Sequence, residues 1–295
     1  MTTESGHLPV GFIGLGNMGA PMAKRLLDWP GGLTVCDVRP EATLPFTEQG
    51  AGSAADPAAL AAVARVICVT VLDDAQVIDV VTGPAGLLST AVAGTVIAVH
   101  STISDRTAER LAAVCAERGV EFVDAPVSGG AGAAKRGSLA VMVGGSDAAV
   151  DSIRAPFGCF SDLIVHAGPV GAGTRMKLAR NLLHFVAFTA ATEAQRLAES
   201  AGLNIADLGK VVRHSDAITG GPGSIMLRET TRAVDPDDFW FPILGHVRDL
   251  GEKDLALAVE LGERLDVPLP LAQLAATRLA DGLGVGKQLL GKETA

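Results

Sequence analysis

A glycine-rich turn between a short apolar run and a helix-forming segment constrains the fold of this chain most. The segment "VGFIGLGNMGAPMAKRLL", residues 10–27, carries Gly14, Gly16 and Gly19 in the spacing GxGxxG. Gly14 permits a tight turn, Gly16 lets the backbone approach a pyrophosphate, and Gly19 lets the helix pack closely on the strand. The flanking strand and helix distinguish this pattern from a plain glycine-rich turn, and the helix N-terminus favours an anion. The predicted cofactor-binding residues of this turn are Gly14, Gly16, Asn17, Met18 and Gly19.

A second strand that ends in an acidic residue bears on the choice of dinucleotide. The segment "LTVCDVRP", residues 33–40, places Asp37 near the ~20-residue offset at which a carboxylate meets the ribose 2′-hydroxyl. A carboxylate there repels a 2′-phosphate, so the sequence favours NAD over NADP. Arg39 keeps NADP open as the less favoured cofactor, because a guanidinium so close is able to accommodate the phosphate. The alternative is that Arg39 lies on the surface.

Short β-branched runs alternate with helix-forming segments through the first half of the chain. The runs are "RVICVTVL" (65–72), "GTVIAVH" (94–100) and "GVEFVDAP" (119–126), and the helices between them open at Asp56, Asp73 and Ser104. This alternation predicts a parallel sheet with crossover helices, whose ligands lie outside the carboxyl ends of the strands. The residues expected along the cofactor are Leu72, Asp73, Ser101 and Thr102. Ser101 and Thr102 are equally able to cap the next helix.

A serine followed by two glycines interrupts this pattern in "DAPVSGGAGAAKRGSLAVMVGG", residues 124–145. Ser128, Gly129 and Gly130 offer one hydroxyl and two unhindered N–H groups in succession, which is the chemistry of a small anion nest for a carboxylate. The alternative is a loose glycine loop. The predicted sheet is completed by the runs "SLAVMVGG" (138–145) and "DLIVHAG" (162–168).

After Gly168 the strand pattern stops and helical periodicity replaces it. The predicted helices cover 171–201, 204–214, 222–233, 249–266 and 270–285. We therefore predict two domains, a nucleotide-binding domain over 1–168 and an all-helical domain over 169–295 for substrate binding and oligomerisation. The expected fold class is α/β, with an N-terminal doubly wound sheet followed by a C-terminal helical domain.

The first predicted helix of the second half carries two polar residues among apolar neighbours. In "GAGTRMKLARNLLHFVAFTAATEA", residues 171–194, Lys177 and Asn181 share one helical face. A solvated lysine whose stem covers apolar surface is the ordinary interpretation. A reactive amine at the mouth of the cofactor cleft is the other, because little of this helix is left to face water. The residues of the helix alone leave both interpretations open.

Composition and charge exclude several classes of partner. The 295 residues suffice for two domains, and a net charge of -9 argues against nucleic acid and anionic membranes. No apolar run approaches the ~18 residues of a membrane span. The four cysteines lack metal-ligand spacing and indicate buried thiols in a reducing compartment. The cysteine spacing also leads us to expect no metal site. Because the N-terminus shows neither a signal nor a transit peptide, we expect a soluble, cytoplasmic protein.

Four blocks of this sequence resemble the β-hydroxyacid dehydrogenase family, whose best-known member is 3-hydroxyisobutyrate dehydrogenase. The blocks are "GFIGLGNMGAPMAKRL", "DAPVSGGAGAAKRGSLAVMVGG", the Lys177-x-x-x-Asn181 helix and "EKDLALAVELGERLDVPLPL" (252–271). The resemblance covers nearly the whole chain. It implies a Rossmann-type nucleotide domain and NAD-dependent oxidation of a small β-hydroxy acid to a semialdehyde or keto acid. It also implies a homodimer or homotetramer, because family members pair through the helical domain.

The resemblance also implies roles for individual residues. Ser128, Gly129 and Gly130 would hold the substrate carboxylate, Asn181 would orient the substrate, Lys177 would be the general acid/base, and Lys253 would lie near the nicotinamide and the substrate. The chemistry agrees, because hydride transfer from a carbinol carbon requires a group that takes the hydroxyl proton. A lysine with the ordinary pKa of ~10.4 becomes such a base near neutrality only if burial or nearby positive charge favours its neutral form.

Two residues depart from the family pattern. Arg180 stands where the family has asparagine, and His246 stands where it has phenylalanine. Arg180 is expected either to pair with an acidic residue or to recognise a second anionic group of the substrate, so the family's usual small substrates are not assured. His184 is expected to be a packed histidine rather than a second acid/base.

Two other functions are compatible with this architecture. An imine reductase would share the fold and use NADPH, but such enzymes usually replace the lysine. A nucleotide-binding module without catalytic activity would be expected to lose it. The presence of Lys177 together with Asn181 therefore favours the dehydrogenase.

Overall fold

The computed structural model describes residues 6–286, and the chain groups into two compact units, Met1–Arg180 and Asn181–Ala295. The last strand ends at Gly168, and the long helix that follows begins in the first unit and ends in the second. The predicted domain boundary between residues 168 and 169 coincides with the end of this strand and stays a prediction.

The first unit is built on a doubly wound sheet. Its strands, among the described residues, are β1 (Val10–Ile13), β2 (Leu33–Cys36), β3 (Gly52–Ser53), β4 (Val66–Val69), β5 (Val96–Val99), β6 (Glu121–Asp124), β7 (Val127–Ser128), β8 (Leu139–Gly144) and β9 (Ser161–Gly168). Their order is β3-β2-β1-β4-β5-β6-β8-β7, with β9 paired to β8. The first six strands are parallel, whereas β8 runs antiparallel to β6 and β7. The strand order changes direction between β1 and β4, which confirms the predicted α/β class. In sheets of this kind, ligands bind outside the carboxyl ends of the strands at such a point.

Helices alternate with the strands of the sheet, and further helices come after the last of these strands in the chain. They are α1 (Gly19–Lys24), α2 (Leu44–Thr47), α3 (Pro57–Val63), α4 (Asp74–Thr82), α5 (Asp105–Ala116), α6 (Gly130–Arg136), α7 (Asp147–Phe157), α8 (Ala172–Ser200), α9 (Ile205–Thr219), α10 (Trp240–Arg264) and α11 (Pro270–Gly282). Two of the predicted N-caps are confirmed, because the Asp56 carboxylate accepts from Ala59 N–H and the Asp73 carboxylate from Gln76 N–H. The helices α6 and α7 lie where the sequence predicted none.

Successive residues of the central strands alternate between two buried cores, because neighbouring side chains of a strand point to opposite faces of the sheet. Phe12 belongs to a core with Met22 and Phe157, whereas Ile13 belongs to a core with Ile67. Both faces of β4 and β5 are therefore buried, and their residues are apolar without interruption. This explains why the sequence shows continuous β-branched runs rather than an alternation of polar and apolar residues.

The helical second unit differs from the prediction in two segments. The predicted helix 222–233 is wrong, because the structure has only a short 3-10 turn at Gly221–Ile225. Gly220 and Gly221 both adopt positive φ there, which ends α9 and prevents a regular helix. The predicted helix 249–266 instead begins earlier, at Trp240, within α10.

The structure also bears on the expected classes of partner. No helix among residues 6–286 is long and apolar enough to cross a membrane. All four cysteines are free; three are buried and Cys159 is half-buried. Within the described part of the chain, no group of three or more histidine, cysteine or acidic residues is arranged to hold a metal ion.

Candidate functional site

The glycine-rich turn lies between β1 and α1, at the carboxyl end of the first strand. Gly14 has φ +89°, and a Cβ there would overlap the carbonyl oxygen of Thr70. A Cβ at Gly19 would overlap the carbonyl oxygen of Gly14. A Cβ at Gly16, in contrast, would meet nothing within 4 Å. The first two glycines are therefore required by the chain itself, while the exposed backbone at Gly16 leaves the open approach that a pyrophosphate needs.

Asp37 follows β2 and is bonded to this turn. Its Oδ2 accepts from Leu15 N–H at 2.7 Å, and its Oδ1 accepts from Arg39 N–H at 2.9 Å. Arg39 Nε lies 3.3 Å from the same Oδ1. Burial acts to raise the pKa of Asp37, but the hydrogen bonds from Leu15 and Arg39 outweigh it and lower the pKa. Asp37 is therefore an ionised carboxylate that shapes the turn at neutral pH, and Arg39 is an exposed arginine paired with it.

Two further predicted cofactor residues join the loops after β4 and β5. Ser101 is buried, and its hydroxyl accepts from Val71 N–H at 2.9 Å and donates to Val71 O at 2.7 Å. It does not cap the next helix, since α5 has Ser104 at its N-cap. Asp73 is the N-cap of α4. Leu72 and Thr102 are exposed beside them, after the carboxyl ends of β4 and β5.

The predicted anion nest lies at the start of α6. Ser128 ends the short strand β7 and is half-buried, and α6 begins at Gly130. Gly129 and Gly130 have φ values of +131° and +71°, and both are exposed. The backbone of these two glycines has no side chain to cover it, which leaves room for the predicted anion.

Lys177 lies beside this nest, in the same unit. Its Nζ donates to the carbonyl oxygen of Val127 at 2.6 Å, and Val127 immediately precedes Ser128. Burial lowers the pKa of the half-buried Lys177 amine from its ordinary value of 10.5, and the positive charge of Arg180 lowers it further. The fold thus places an amine that loses its proton more readily than a solvated lysine next to the predicted carboxylate site.

Asp124 is a functional candidate that sequence reasoning missed. It ends β6, is 0% exposed, and accepts from Gly171 N–H at 2.7 Å and Thr174 N–H at 2.6 Å. Burial raises the pKa of its carboxyl group, and these N–H donors oppose that rise. The available signal was an acidic residue at the end of a buried parallel strand, within "EFVDAP".

The other predicted site residues are distributed over the two units. Arg180 is exposed at the end of the first unit, and Asn181 is half-buried at the start of the second. Lys253 is exposed on α10, with its Nζ 3.1 Å from the Asp254 carboxylate, and His246 is exposed on the same helix. His184 packs its ring against Phe188, with ring centroids 4.2 Å apart. Of the predicted catalytic and substrate-binding residues, the structure brings Lys177 and the Ser128-Gly129-Gly130 nest together within one unit, through the bond to Val127.

Two family models match this chain and together span most of it. Residues 9–168 match the NAD binding domain of 6-phosphogluconate dehydrogenase. Residues 171–288 match the NAD-binding domain of NADP-dependent 3-hydroxyisobutyrate dehydrogenase. Both halves therefore match domains that bind nicotinamide dinucleotides.

Curated relatives cover nearly the whole chain. An uncharacterized oxidoreductase of Mycobacterium tuberculosis is 60% identical over 97% of this chain and 96% of its own length. The 2-(hydroxymethyl)glutarate dehydrogenase of Eubacterium barkeri is 34% identical over 97% of this chain and 92% of its own length.

Solved structures share the fold over the same length. An oxidoreductase from Mycobacterium avium 104 has a TM-score of 0.91 at 55% identity, covering 95% of this chain and 99% of that one. An imine reductase from Pseudomonas sp. has a TM-score of 0.72 at 21% identity, covering 95% and 96%. The second likeness shows a common fold alone.

Proposed function

Because this chain belongs to the 3-hydroxyisobutyrate dehydrogenase family of NAD(P)-dependent β-hydroxyacid dehydrogenases, we propose that it oxidises a small β-hydroxy acid with Lys177 as the general acid/base. The observation that carries the proposal is the 2.6 Å hydrogen bond from Lys177 Nζ to Val127 O, which holds the amine beside the Ser128-Gly129-Gly130 nest.

The proposed chemistry divides between the nest and the lysine. Ser128, Gly129 and Gly130 bind the substrate carboxylate, which fixes the hydroxyl-bearing carbon near Lys177. The neutral Lys177 amine takes the hydroxyl proton as the carbinol becomes a carbonyl, and the ammonium returns a proton in the reverse reaction. The bound nicotinamide supplies the hydride acceptor or donor. Burial and the charge of Arg180, which both lower the pKa of Lys177, favour the neutral base.

The remaining site residues take supporting roles in this proposal. The family resemblance assigns to Asn181, one turn after Lys177, the orientation of the substrate, and to Lys253 a place near the nicotinamide and the substrate. The cofactor is held by the turn with Gly14, Gly16, Asn17, Met18 and Gly19, by Asp37, and by Leu72, Asp73, Ser101 and Thr102. We propose NAD rather than NADP, because the ionised Asp37 carboxylate repels a 2′-phosphate. Arg39 is paired with Asp37, which supports the same choice.

The second unit supports the proposal of a homodimer or homotetramer. Large apolar side chains of α8 are exposed there, among them Leu182 at 71%, Phe185 at 60% and Phe188 at 56%. Contiguous exposed apolar surface of this kind is typical of protein interfaces.

A screen of purified protein against β-hydroxy acids, each with NAD and with NADP, tests the proposed function. We expect nicotinamide reduction with a substrate that carries a carboxylate and a β-hydroxyl, and we expect a higher kcat/KM with NAD. Failure of every such substrate with both cofactors would contradict the dehydrogenase assignment. Turnover of cyclic imines with NADPH in their place would identify the imine reductase alternative.

Because of Arg180, we propose that the substrate carries a second carboxylate. Its charge lies close enough to Lys177 to lower the pKa of that amine, and a relative is named for a dicarboxylate, 2-(hydroxymethyl)glutarate. At a pH above the midpoint of both proteins, where Lys177 is neutral, we expect Arg180→Asn to lower kcat/KM for a hydroxymethyl dicarboxylate about 10-fold or more, with little change for the monocarboxylate analogue. The pH midpoint at which hydroxy-acid oxidation rises should also move upward, because the Lys177 pKa loses a positive neighbour. Equal losses for both substrates, or an unmoved midpoint, would count against this role.

A further inference from the structure

One short segment of the first unit, Asp124–Val127, contacts the start of α8 at two points. Asp124 accepts hydrogen bonds from Gly171 N–H and Thr174 N–H at 2.7 and 2.6 Å. Gly171 immediately precedes α8 and Thr174 lies in its first turn, where backbone N–H groups have no partner within the helix. Val127 O accepts the Lys177 amine at 2.6 Å, one helical turn further on. The carboxylate therefore holds the helix backbone, and the carbonyl holds its catalytic side chain.

The junction between α8 and the sheet leaves no room for adjustment. A Cβ at Gly173 would overlap Met142 O and would lie only 2.6 Å from Asp124 O. A Cβ at Gly144 would overlap the Asp124 carboxylate. Backbone thus packs directly on backbone at the start of α8, so a displaced Asp124 side chain would move the helix rather than fill a space.

The Asp124–Val127 segment is itself held by the buried His100. His100 Nδ1 lies 2.7 Å from Ala125 O, and its ring packs against Phe157 at 5.0 Å between centroids. Burial lowers the pKa of His100 to about 4, so the imidazole is neutral at physiological pH. A carbonyl accepts only from a protonated nitrogen, so Nδ1 carries the single N–H. Asp124 is consequently attached to a rigid support.

A second link between α8 and the rest of the unit is weaker. Arg175 pairs with Asp105 at 2.9 Å and with Glu109, both on α5, but the arginine side chain is half exposed. Exposed ion pairs contribute little to holding a geometry, because water and salt screen them. The buried Asp124 carboxylate is therefore the principal attachment of the first turn of α8.

We propose that Asp124 is a positioning residue for the reaction: by holding Gly171 and Thr174, it sets where the Lys177 amine lies relative to the Ser128-Gly129-Gly130 nest. The inference rests on the proposed role of Lys177. It assigns to Asp124 an effect on turnover that acts through the helix rather than through contact with substrate.

The test replaces Asp124 with asparagine, which keeps the shape but turns one accepting oxygen into an NH2 group that faces an N–H donor. We expect kcat to fall about 10- to 100-fold, the scale of a misplacement near 1 Å, while the Kd for NAD is unchanged. Glu193→Gln is the matched control. Glu193 is also buried, lies further along α8, and accepts from Leu271 N–H at 2.9 Å and Ala272 N–H at 3.1 Å. We expect this control to lower Tm similarly but to leave kcat within about 2-fold of wild type.

A direct measurement of the Lys177 pKa separates a positioning role of Asp124 from a mere loss of stability. The pKa of the amine is measured by pH-dependent competitive acetylation and peptide mass spectrometry. In Asp124→Asn, we expect this pKa to rise toward its ordinary value of 10.5, because a displaced amine loses its burial. Removing the negative charge of Asp124 would by itself lower the Lys177 pKa, so a rise reports displacement. In Glu193→Gln, the Lys177 pKa should stay at its wild-type value.

The outcomes are distinguishable. Wild-type kcat in Asp124→Asn, or a Lys177 pKa that is unchanged or lower, would overturn the positioning role. If Asp124→Asn does not fold, Gly173→Ala decides, because its Cβ displaces the helix without removing a charge. The same fall in kcat and rise in pKa are expected there, and wild-type values would overturn the inference. Wild-type turnover in Lys177→Met would instead contradict the proposed function itself.

Discussion

Asp37 and Asp124 lie at the carboxyl ends of two parallel strands of one sheet, yet the fold shifts their pKa values in opposite directions. Asp37 accepts two backbone N–H groups and has the Arg39 guanidinium beside it, and its pKa is lowered. Asp124 also accepts two backbone N–H groups but is completely buried, and its pKa is raised. The number of backbone N–H donors is equal, so the sign of the pKa shift depends on burial and on the Arg39 guanidinium, which also donates to Asp37 at 3.3 Å.

The difference between the two aspartates indicates different tasks. Asp37 is charged, and although its side chain is only 6% exposed, it is bonded to the glycine-rich turn and therefore suits a place at the edge of a cofactor site. Asp124 is enclosed, and its contacts to Gly171 and Thr174 hold α8. A carboxylate at the edge of a ligand site acts through its charge, whereas one that positions a helix gains from exclusion of water.

Among the tests of the difference between Asp37 and Asp124, the largest expected effect is on the affinity for the cofactor. Asp37→Ala removes the acceptor of Leu15 N–H and the group proposed to meet the ribose, so we expect the Kd for NAD to rise about 10- to 100-fold. The preference for NAD over NADP should vanish in the same variant. Titration of both cofactors measures this, with Asp124→Asn as the reference that keeps wild-type NAD affinity. Tighter binding of NADP than NAD to the unaltered protein would mean that Arg39 dominates recognition.

A smaller effect is expected at the substrate nest. Ser128→Ala removes one hydrogen bond to a charged group, worth roughly 1.5–3 kcal/mol, so KM for a hydroxy acid should rise about 10-fold or more. The Kd for NAD should not change, because Ser128 is remote in the sheet order from the turn that follows β1. Steady-state kinetics and cofactor titration together decide. Loss of NAD binding in Ser128→Ala would assign this loop to the cofactor instead.

The smallest expected effect is on stability in acid, where the two aspartates should act with opposite signs. The pKa of Asp37 is lowered, so its stabilising contribution is present above the unfolded pKa near 3.8 and is lost as pH falls through the folded pKa. The pKa of Asp124 is raised, so its contribution is present below 3.8 and is lost as pH rises through the folded pKa. Comparing Tm across acidic pH, the wild-type advantage over Asp37→Asn should shrink on acidification. Relative to Asp124→Asn, the Tm of the wild type should rise on acidification. Equal Tm trends in the two comparisons would contradict the assigned pKa shifts.

Local patterns in the sequence were sufficient for much of the fold. The GxGxxG spacing was enough to predict the roles of Gly14 and Gly19, because both glycines serve local packing. In the structure, a Cβ at either position would overlap a backbone carbonyl oxygen. Apolar runs predict β4 and β5 because both faces of the sheet are buried. Asp56 and Asp73 predict helix starts because a cap is a contact between neighbours in the chain.

Contacts between distant residues could not be predicted in this way. The role of Asp124 depends on Gly171 and Thr174, which follow it by 47 and 50 positions. The bond between Lys177 and Val127 likewise joins positions 50 apart. The start of α10 at Trp240 was missed for a related reason, since Trp240 and Phe241 pack on a small core with Leu283 and Val285. Periodicity within one segment contains no information on such partners.

Turnover by Lys177→Met tests the proposed mechanism most directly. Methionine keeps the length and the apolar packing of the side chain but has no proton to exchange. We expect the variant to fold and to bind NAD with wild-type affinity, because Gly14, Gly16 and Asp37 are untouched. Its kcat with the best hydroxy acid should fall by about 10²–10⁴-fold, the contribution of a lost general acid/base. A kcat close to wild type would contradict the mechanism and leave Lys177 as a side chain that only packs against the Val127 loop.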